Sequence, residues 1–270
     1  MKFLAYAKIN IRLNVLGKNK NNYHELSMVN AKISLADEIE IKESKTNSVE
    51  YSLDELNKLE NNLCLNVLNE ITDKFKIEKR YNIYIKKKIP MGAGLGGGSS
   101  DVACIINALD KLHNLNLSLD EKIAIGLKYG ADVPYCLIND IALVEGIGEK
   151  ITPLDLSFKK RIVVVYPNIF VSTKDVFSKV QSYSLKSDEQ SIKQLIINNE
   201  YDELLINDLE QPSFILKPEL KSIKDDLSKI GKTVMSGSGS SMLVFIDNNE
   251  QLEKIYMLYP EYLIVDSEIL

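Results

Sequence analysis

The densest glycine stretch of the chain is PMGAGLGGGSSD at 90–101, with five glycines in seven positions. Because glycine has no Cβ, the backbone amides of such a stretch can close around an anion. The apolar residues that follow are spaced for an amphipathic helix, and the first turn of a helix presents unpaired N–H groups and the positive end of its dipole. The stretch therefore predicts a polyphosphate-binding loop.

Polar residues on both sides of the glycines add to this prediction. Ser99 and Ser100 supply hydroxyls for a phosphate oxygen or a bound Mg²⁺, and the lysines at 86–88 bring positive charge to the mouth of the loop. The glycines also match the dinucleotide-binding pattern G-x-G-x-x-G at 92–97, with Asp120 near the expected offset. That pattern is weak here, because the loop lies in mid-chain and no βαβ continuation follows. The Walker pattern fails, since no lysine precedes Ser99.

The loop resembles the second motif of the GHMP kinases, which are small-molecule phosphotransferases of galactokinase, homoserine-kinase and mevalonate-kinase type. The segment AKINIRLNVLG at 7–17 resembles their first motif, and MSGSGSS at 235–241 resembles their third. The resemblance implies a two-domain α+β fold with the active site in the cleft between the domains. We expect an N-terminal ATP-binding domain over 1–155 and a C-terminal domain over 156–270.

The resemblance also implies ATP as phosphoryl donor and Mg²⁺ as its companion ion. We expect no protein cage for the metal, only a contact from Ser99 or Ser100. The ATP-binding residues that match the family are Pro90, Met91, Gly92, Ala93, Gly94, Leu95, Gly96, Gly97, Gly98, Ser99 and Ser100, with Lys88 and Asn62.

Two charged residues match the family's catalytic pair. Asp132, in GADVPY, is expected to receive the proton of the acceptor hydroxyl, and Lys8 is expected to be its cationic partner. An ammonium near that carboxylate would keep it ionised and would stabilise charge on the transferred group. From the residues alone, each would be an ordinary loop carboxylate or strand lysine.

Within the GHMP kinases, the segments YHEL at 23–26 and STKDVF at 172–177 resemble those of kinases whose acceptor carries a cytidine diphosphate. Those enzymes phosphorylate a 2-hydroxyl in the non-mevalonate route to isoprenoid precursors. The resemblance implies that Tyr23 and Phe177 sandwich the base, His24 bonds its edge and Asn10 holds the acceptor. The late glycine loop, through Gly237, Ser238 and Gly239, is expected to face the acceptor.

Three alternatives stay open at this point. Another GHMP kinase would act on a sugar, homoserine or mevalonate, and would not need the aromatic residues. A non-catalytic nucleotide-binding protein would keep the loop without turnover. A dinucleotide-dependent dehydrogenase would bind NADH.

Several elements must position these residues. Strict alternation over 7–15 predicts a half-buried strand with Lys8, Asn10, Arg12 and Asn14 on its polar face. Further strands are predicted at 38–43, 81–86, 141–145, 161–166 and 262–266, with a strand–loop–strand over 232–247. Helices are predicted after the glycine loop, from the capping box of Ser118 and Glu121 to Gly130, and near 188–209, 217–230 and 249–258.

The composition excludes several classes of function. Thirty-three basic against 38 acidic residues give a net charge of −5, and only three of the basic residues are Arg, so nucleic-acid binding is not expected. No apolar run reaches bilayer length and no signal peptide is evident, so we expect a cytoplasmic protein without membrane partners. Three widely spaced cysteines predict reduced thiols. The oligomeric state is left open.

Overall fold

The computed structural model describes residues 1–270 and contains ten strands and eleven helices. The strands are β1 (Lys2–Lys18), β2 (His24–Ser44), β3 (Ser48–Tyr51), β4 (Arg80–Lys86), β5 (Ala142–Gly146), β6 (Lys150–Pro153), β7 (Arg161–Tyr166), β8 (Lys232–Met235), β9 (Met242–Phe245) and β10 (Leu263–Glu268). The helices are α1 (Asp54–Asn57), α2 (Leu63–Lys74), α3 (Gly97–His113), α4 (Leu119–Gly126), α5 (Val133–Cys136), α6 (Thr173–Ser178), α7 (Glu189–Asn198), α8 (Tyr201–Leu204), α9 (Glu210–Leu216), α10 (Pro218–Leu227) and α11 (Asn249–Leu258). None of these helices combines the length and the apolar character that a bilayer span requires.

The strands form two sheets. In the larger one β2 pairs antiparallel with β4 through residues 38–44 and with β5 through residues 26–30. The strand order is β3-β4-β2-β5-β6, and β1 pairs with β2. The smaller sheet has the order β10-β7-β9-β8 and is antiparallel throughout. Its strand β7 carries four consecutive buried residues between half-buried ends, as expected for a β-branched run covered on both faces.

Strand β1 has the predicted alternation but not the predicted exposure. Ile9 and Ile11, on the apolar face, are fully buried. On the opposite face, however, Lys8, Asn10 and Asn14 are only 4%, 1% and 2% exposed. The prediction of a half-buried strand is therefore wrong in this respect. Polar side chains tolerate such burial when they bond to one another, and several of these do, as described below.

Helix α3 begins directly after the glycines and buries an apolar stripe that includes Val102, Ile106 and Leu109. Helix α4 begins at the predicted capping box: Glu121 N–H donates to Ser118 Oγ, and the Glu121 carboxylate accepts from the Ser118 N–H at 2.8 Å. It ends at Gly126 rather than at Gly130. The chain continues to residue 129 as a tighter turn, because the Tyr129 N–H bonds to the Gly126 carbonyl at 2.9 Å.

The chain divides into two compact units. The first holds Met1–Ala7, Leu35–Met91 and Gly96–Ile138, and the second holds Lys8–Ser34, Gly92–Leu95 and Asn139–Leu270. This grouping differs from a single boundary between 155 and 156, because two N-terminal segments belong to the second unit. That boundary stays a prediction for the family domains. All three cysteines are free thiols, as predicted, with Cys64 and Cys136 buried and Cys104 half-buried.

Candidate active site

The amino end of α3 is the open part of the glycine segment in the first unit. Gly96 is the N-cap residue with φ 66° and ψ 23°, and no side chain caps the helix. The Ser100 N–H bonds to the Gly96 carbonyl at 2.8 Å, so the amides of residues 97–99 have no carbonyl partner within the helix. A Cβ built on Gly98 would meet no atom within 4 Å. This helix end offers backbone donors and the positive end of the dipole to an anion.

The two serines that follow differ in their surroundings. Ser100 is 3% exposed, and its hydroxyl donates to the Tyr6 carbonyl at 2.7 Å. The Ser100 hydroxyl is thus occupied by a hydrogen bond within the fold. Ser99 is half-buried, and its Oγ lies 3.4 Å from the position that a Cβ on Gly130 would occupy. The Ser99 hydroxyl therefore borders the turn that leads to Asp132.

Asp132 stands at the start of α5. It is the N-cap residue, and its carbonyl accepts from the Cys136 N–H at 3.2 Å, while its carboxylate does not cap the helix. Its side chain is half-buried. Gly130, two residues earlier, lies beside Ser99 in the first turn of α3, so the segment that carries Asp132 passes next to the open end of that helix.

The three lysines at 86–88 are not equivalent. The Lys87 side chain is 5% exposed, and its ammonium bonds to Asp37 and to Asp101 Oδ2, the latter at 2.7 Å. The Asp37 carboxylate also accepts from the N–H groups of Lys88 and Ile89 at 2.5 and 2.9 Å. Lys87 therefore fixes the segment before the loop to α3 through Asp101. The prediction that it adds charge at the mouth of the loop is wrong.

Burial governs the electrostatics of this triad. It raises the pKa of Asp101 to about 8, and the charge of Asp37 adds to the effect against the attraction of Lys87. Burial opposes the charge on Lys87, but the carboxylates of Asp101 and Asp37 outweigh it and raise the pKa of this ammonium. The second oxygen of Asp101 is buried without a hydrogen-bond partner. Nothing local in the sequence pairs residues 50 and 14 positions apart, so the triad was not predicted.

The remaining predicted ATP residues of the first unit have these positions. Lys88 is exposed and pairs with Glu38 at 2.5 Å. The Asn62 side chain accepts from the Leu65 N–H at 3.1 Å as the N-cap of α2, and also from the Tyr51 hydroxyl at 3.0 Å. Pro90 is half-buried and Met91 is 42% exposed. The amide oxygen of Asn62 is thus occupied by hydrogen bonds within the fold. Lys88 and Met91 are exposed and leave surface for a ligand.

In the second unit, Lys8 and Asn10 form a buried polar chain. The Lys8 ammonium donates to Asn10 Oδ1 at 2.9 Å, and Asn10 Nδ2 donates to Asn30 Oδ1 at 2.7 Å. The Asn10 N–H lies 3.4 Å from Ser236 Oγ. The Nδ2 of Asn30 is buried without a partner. A buried donor in this position is costly unless a ligand or water satisfies it. Asn30 was not predicted.

The late glycine loop is held against residues 92–95. Ser236 Oγ donates to the Gly94 carbonyl at 3.0 Å, and the Ser241 N–H bonds to the Ala93 carbonyl at 3.3 Å. Gly94 has φ +75°, and a Cβ there would lie 2.3 Å from the Ser236 carbonyl oxygen. Only glycine allows this approach.

The residues of the late loop that were assigned to the acceptor, Gly237, Ser238 and Gly239, are buried. The Ser238 hydroxyl bonds to Thr173 Oγ1 at 2.8 Å, and its carbonyl accepts from the Ser213 hydroxyl at 3.0 Å. The Asn207 amide donates to the carbonyls of Met235 and Gly237 at 2.7 and 2.8 Å. These contacts fix the loop. Their role toward an acceptor stays a prediction.

The aromatic residues assigned to the base have different surroundings, and their role toward a base stays a prediction. The His24 ring stacks on Phe177, with centroids 4.9 Å apart and planes at 23°. Tyr23 is 66% exposed and has no ring contact. Neighbouring residues in extended chain point to opposite sides, which explains why Tyr23 and His24 separate at the start of β2. Burial and then the charge of Lys18 lower the pKa of His24.

Two family models match the chain. The GHMP kinases N terminal domain matches residues 62–140, and the GHMP kinases C terminal domain matches residues 182–257. Together with the α+β fold, they place the chain in the class of GHMP kinases.

Named proteins similar to this chain identify its family within the GHMP kinases. The 4-diphosphocytidyl-2-C-methyl-D-erythritol kinase of Clostridium perfringens (strain 13 / Type A) is 40% identical over 258 residues, which is 92% of this chain and 89% of that protein. The same kinase of Thermoanaerobacter sp. (strain X514) is 40% identical over 263 residues, 95% of this chain and 91% of that protein. A crystal structure of 4-(cytidine 5'-diphospho)-2C-methyl-D-erythritol kinase matches with a TM-score of 0.85 and 28% identity, covering 100% of both chains. The chain belongs to the 4-diphosphocytidyl-2-C-methyl-D-erythritol kinase family. The dehydrogenase alternative is therefore wrong.

Proposed function

We propose that the protein transfers the γ-phosphoryl group of ATP to the 2-hydroxyl of 4-diphosphocytidyl-2-C-methyl-D-erythritol. The observation that carries the proposal is the neighbourhood of Ser99, Gly130 and Asp132 at the open end of α3, in a chain of this family. A phosphate-binding helix end beside a carboxylate is what phosphoryl transfer to an alcohol requires.

The acceptor oxygen forms a bond to the γ-phosphorus, and the bond from that phosphorus to the β,γ-bridging oxygen breaks, so that ADP leaves. The hydroxyl proton goes to the carboxylate of Asp132. The amides of residues 97–99 hold the donor's phosphates. For Lys8 we propose the role of a cation that stabilises charge on the transferred group.

Mg²⁺ accompanies ATP in such reactions and neutralises its phosphates. The residues present fit a single protein contact with this ion rather than a full set of protein ligands. No group of three or more His, Cys, Asp or Glu converges in the structure. Ser100 is engaged with the Tyr6 carbonyl, whereas the Ser99 hydroxyl borders the Asp132 turn. We therefore assign the protein's contact with Mg²⁺ to Ser99.

An acceptor panel tests the proposed reaction. The pure protein, ATP and Mg²⁺ are incubated with the cytidine-bearing alcohol, mevalonate, homoserine or galactose, and ADP and the phosphorylated product are measured. We expect turnover with the cytidine-bearing alcohol alone. Turnover with another alcohol instead would show a different acceptor. ATP binding without any turnover would favour the non-catalytic alternative.

The role of Asp132 has its own test. Asp132→Asn keeps the size of the side chain but removes the proton acceptor, so turnover should fall by at least about 100-fold while ATP still binds. Asp120→Asn, an exposed carboxylate on α4, is the matched control and should keep its activity. If Asp132→Asn stays within about threefold of the parent, the assignment is wrong.

A double variant tests whether Lys8 acts in the same step. When two residues serve one step, removing both is little worse than removing either. We therefore expect the combination of Lys8→Met and Asp132→Asn to resemble the worse single variant. Losses that multiply would show that Lys8 contributes separately.

A further inference from the structure

Asn30 on β2 is a fully buried polar residue outside the predicted set of site residues. It is 0% exposed, and its Oδ1 accepts from Asn10 Nδ2 at 2.7 Å. Its own Nδ2 has no hydrogen-bond partner. A strand position that served packing alone would hold an apolar side chain, as the neighbouring buried positions Val29 and Ala31 do. The bond to Asn10 is therefore what Asn30 supplies that an apolar residue would not.

The donors and acceptors along this chain of bonds fix the orientation of both amides. The Lys8 ammonium can only donate, so it requires the oxygen end of the Asn10 amide, which it contacts at 2.9 Å. The NH₂ end of Asn10 then requires an acceptor. Turning the Asn30 amide over would place two NH₂ groups against each other, so its oxygen faces Asn10. The unpaired Nδ2 of Asn30 is thus a consequence of holding Asn10.

Asn10 has no second acceptor of equal quality. The other acceptor at its Nδ2 is the Met28 thioether, at 3.4 Å, and such a sulfur is a weak acceptor. Met28 and Asn30 lie two residues apart on β2 and therefore point to the same side of the strand. With Asn30 replaced by an apolar residue, the Asn10 amide would be held only by this sulfur and by Lys8.

We propose that Asn30 is a positioning residue for the phosphoryl transfer, because it fixes the Asn10 amide, whose oxygen in turn fixes the Lys8 ammonium. This inference rests on the proposed function, in which Lys8 stabilises charge on the transferred group. The late glycine loop reaches the same oxygen, since a Cβ on Gly237 would lie 3.3 Å from Asn10 Oδ1. Asn30 itself does not touch the acceptor and acts through Asn10.

The first test compares Asn30→Leu with Met28→Leu. Outer residues that orient a metal ligand contribute about 10- to 100-fold to affinity or activity, and we expect Asn30→Leu to lower kcat by a similar factor. The KM for ATP should stay within about twofold of the parent. Met28→Leu removes the weak sulfur acceptor at nearly constant volume and should keep kcat within about threefold. An equal loss of kcat in both variants, or a kcat of Asn30→Leu within about threefold of the parent, would overturn the inference.

A double variant separates positioning from direct contact. If Asn30 acts only through Asn10, Asn30→Leu should have no further effect on kcat in a protein that already carries Asn10→Leu. A residue that touched the acceptor would instead lower kcat by the same factor in both backgrounds, and that result would refute the assignment. Asn30→Leu should remain folded, because the change also removes an unsatisfied buried donor. If it does not fold, Asn30→Ala removes the same acceptor with a smaller side chain.

Crystal structures of the parent and of Asn30→Leu test the geometry without reference to turnover. In the variant we expect the Lys8 ammonium to leave Asn10 Oδ1, so that the two atoms lie more than about 3.5 Å apart. An unchanged contact would overturn the inference. If the parent does not phosphorylate the cytidine-bearing alcohol, the proposed function fails, whereas this comparison still decides whether Asn30 positions Lys8.

Discussion

Gly98 offers a prediction in which stability and ligand binding move in opposite directions. It lies in the first turn of α3, and a Cβ built there meets no atom within 4 Å. Gly98→Ala should therefore fold at least as well as the parent and gain up to about 1 kcal/mol, since alanine loses less backbone entropy than glycine in a helix. The added methyl group would fill the space through which a phosphate approaches the amides.

The expected loss of affinity follows from the bonds at risk. A hydrogen bond to a charged group contributes about 1.5–3 kcal/mol, so losing one such bond between an amide and a phosphate should weaken ATP binding about 10- to 150-fold. Calorimetry gives the affinity, and urea unfolding gives the stability. Gly94→Ala is the contrast: its Cβ would lie 2.3 Å from a carbonyl oxygen at φ +75°, so it should lose stability outright. Unchanged ATP affinity in a stable Gly98→Ala protein would show that the phosphates bind elsewhere.

Two further predictions concern the residues after the glycines. Ser99→Ala should raise the Mg²⁺ concentration needed for half-maximal activity, whereas Ser100→Ala should lower thermal stability and leave that concentration unchanged; the reverse result would move the metal contact to Ser100. Asp101→Asn should change how stability depends on pH. Burial raises the pKa of Asp101 from an ordinary 3.8 to about 8, so between these values the folded protein holds a proton that the unfolded chain releases. The parent therefore loses stability as the pH rises through this window, and the variant, which has no carboxylate at this position, does not. Urea unfolding from pH 5 to pH 8 should show the variant gaining on the parent, and a constant difference would refute the shift.

Local patterns predicted the elements whose signals are complete within one segment. The glycine segment and its amphipathic helix, the capping box of Ser118, and the helix over 249–258 all form as expected. In each case the segment itself contains the apolar periodicity or the N-terminal cap that forms the helix. The family was also predictable, because its three motifs are short and keep their order along the chain.

Helix α2 was missed although its signal is local. Cys64, Val67, Leu68 and Ile71 are buried at helical spacing, and Asn62 caps the first turn. Asn62, which was predicted as a ligand residue, caps this helix through its side-chain oxygen.

Contacts between distant segments could not be predicted in the same way. The pairing of Lys87 with Asp37 and Asp101 depends on where three segments of the first unit meet. A run of three lysines suggests a solvated cationic patch, and only the fold shows which one is buried. The stacking of His24 on Phe177, and the place of Tyr183 beside them, likewise depend on chain segments more than 150 residues apart in sequence.

The polar face of β1 shows why wrong or missing predictions concentrate at the candidate site. A strand that served only the fold would place apolar residues wherever both of its faces are covered, because removing Lys8 and Asn10 from water carries a penalty that apolar packing avoids. Instead the strand buries both, and the chain of bonds continues to Asn30, whose Nδ2 still lacks a partner. Alternation in the sequence predicts that the polar side chains are exposed, because the polar face of a strand usually contacts solvent. When that face is buried and Asn30 Nδ2 still lacks a partner, stability alone does not account for it, and we propose that the face binds a polar ligand.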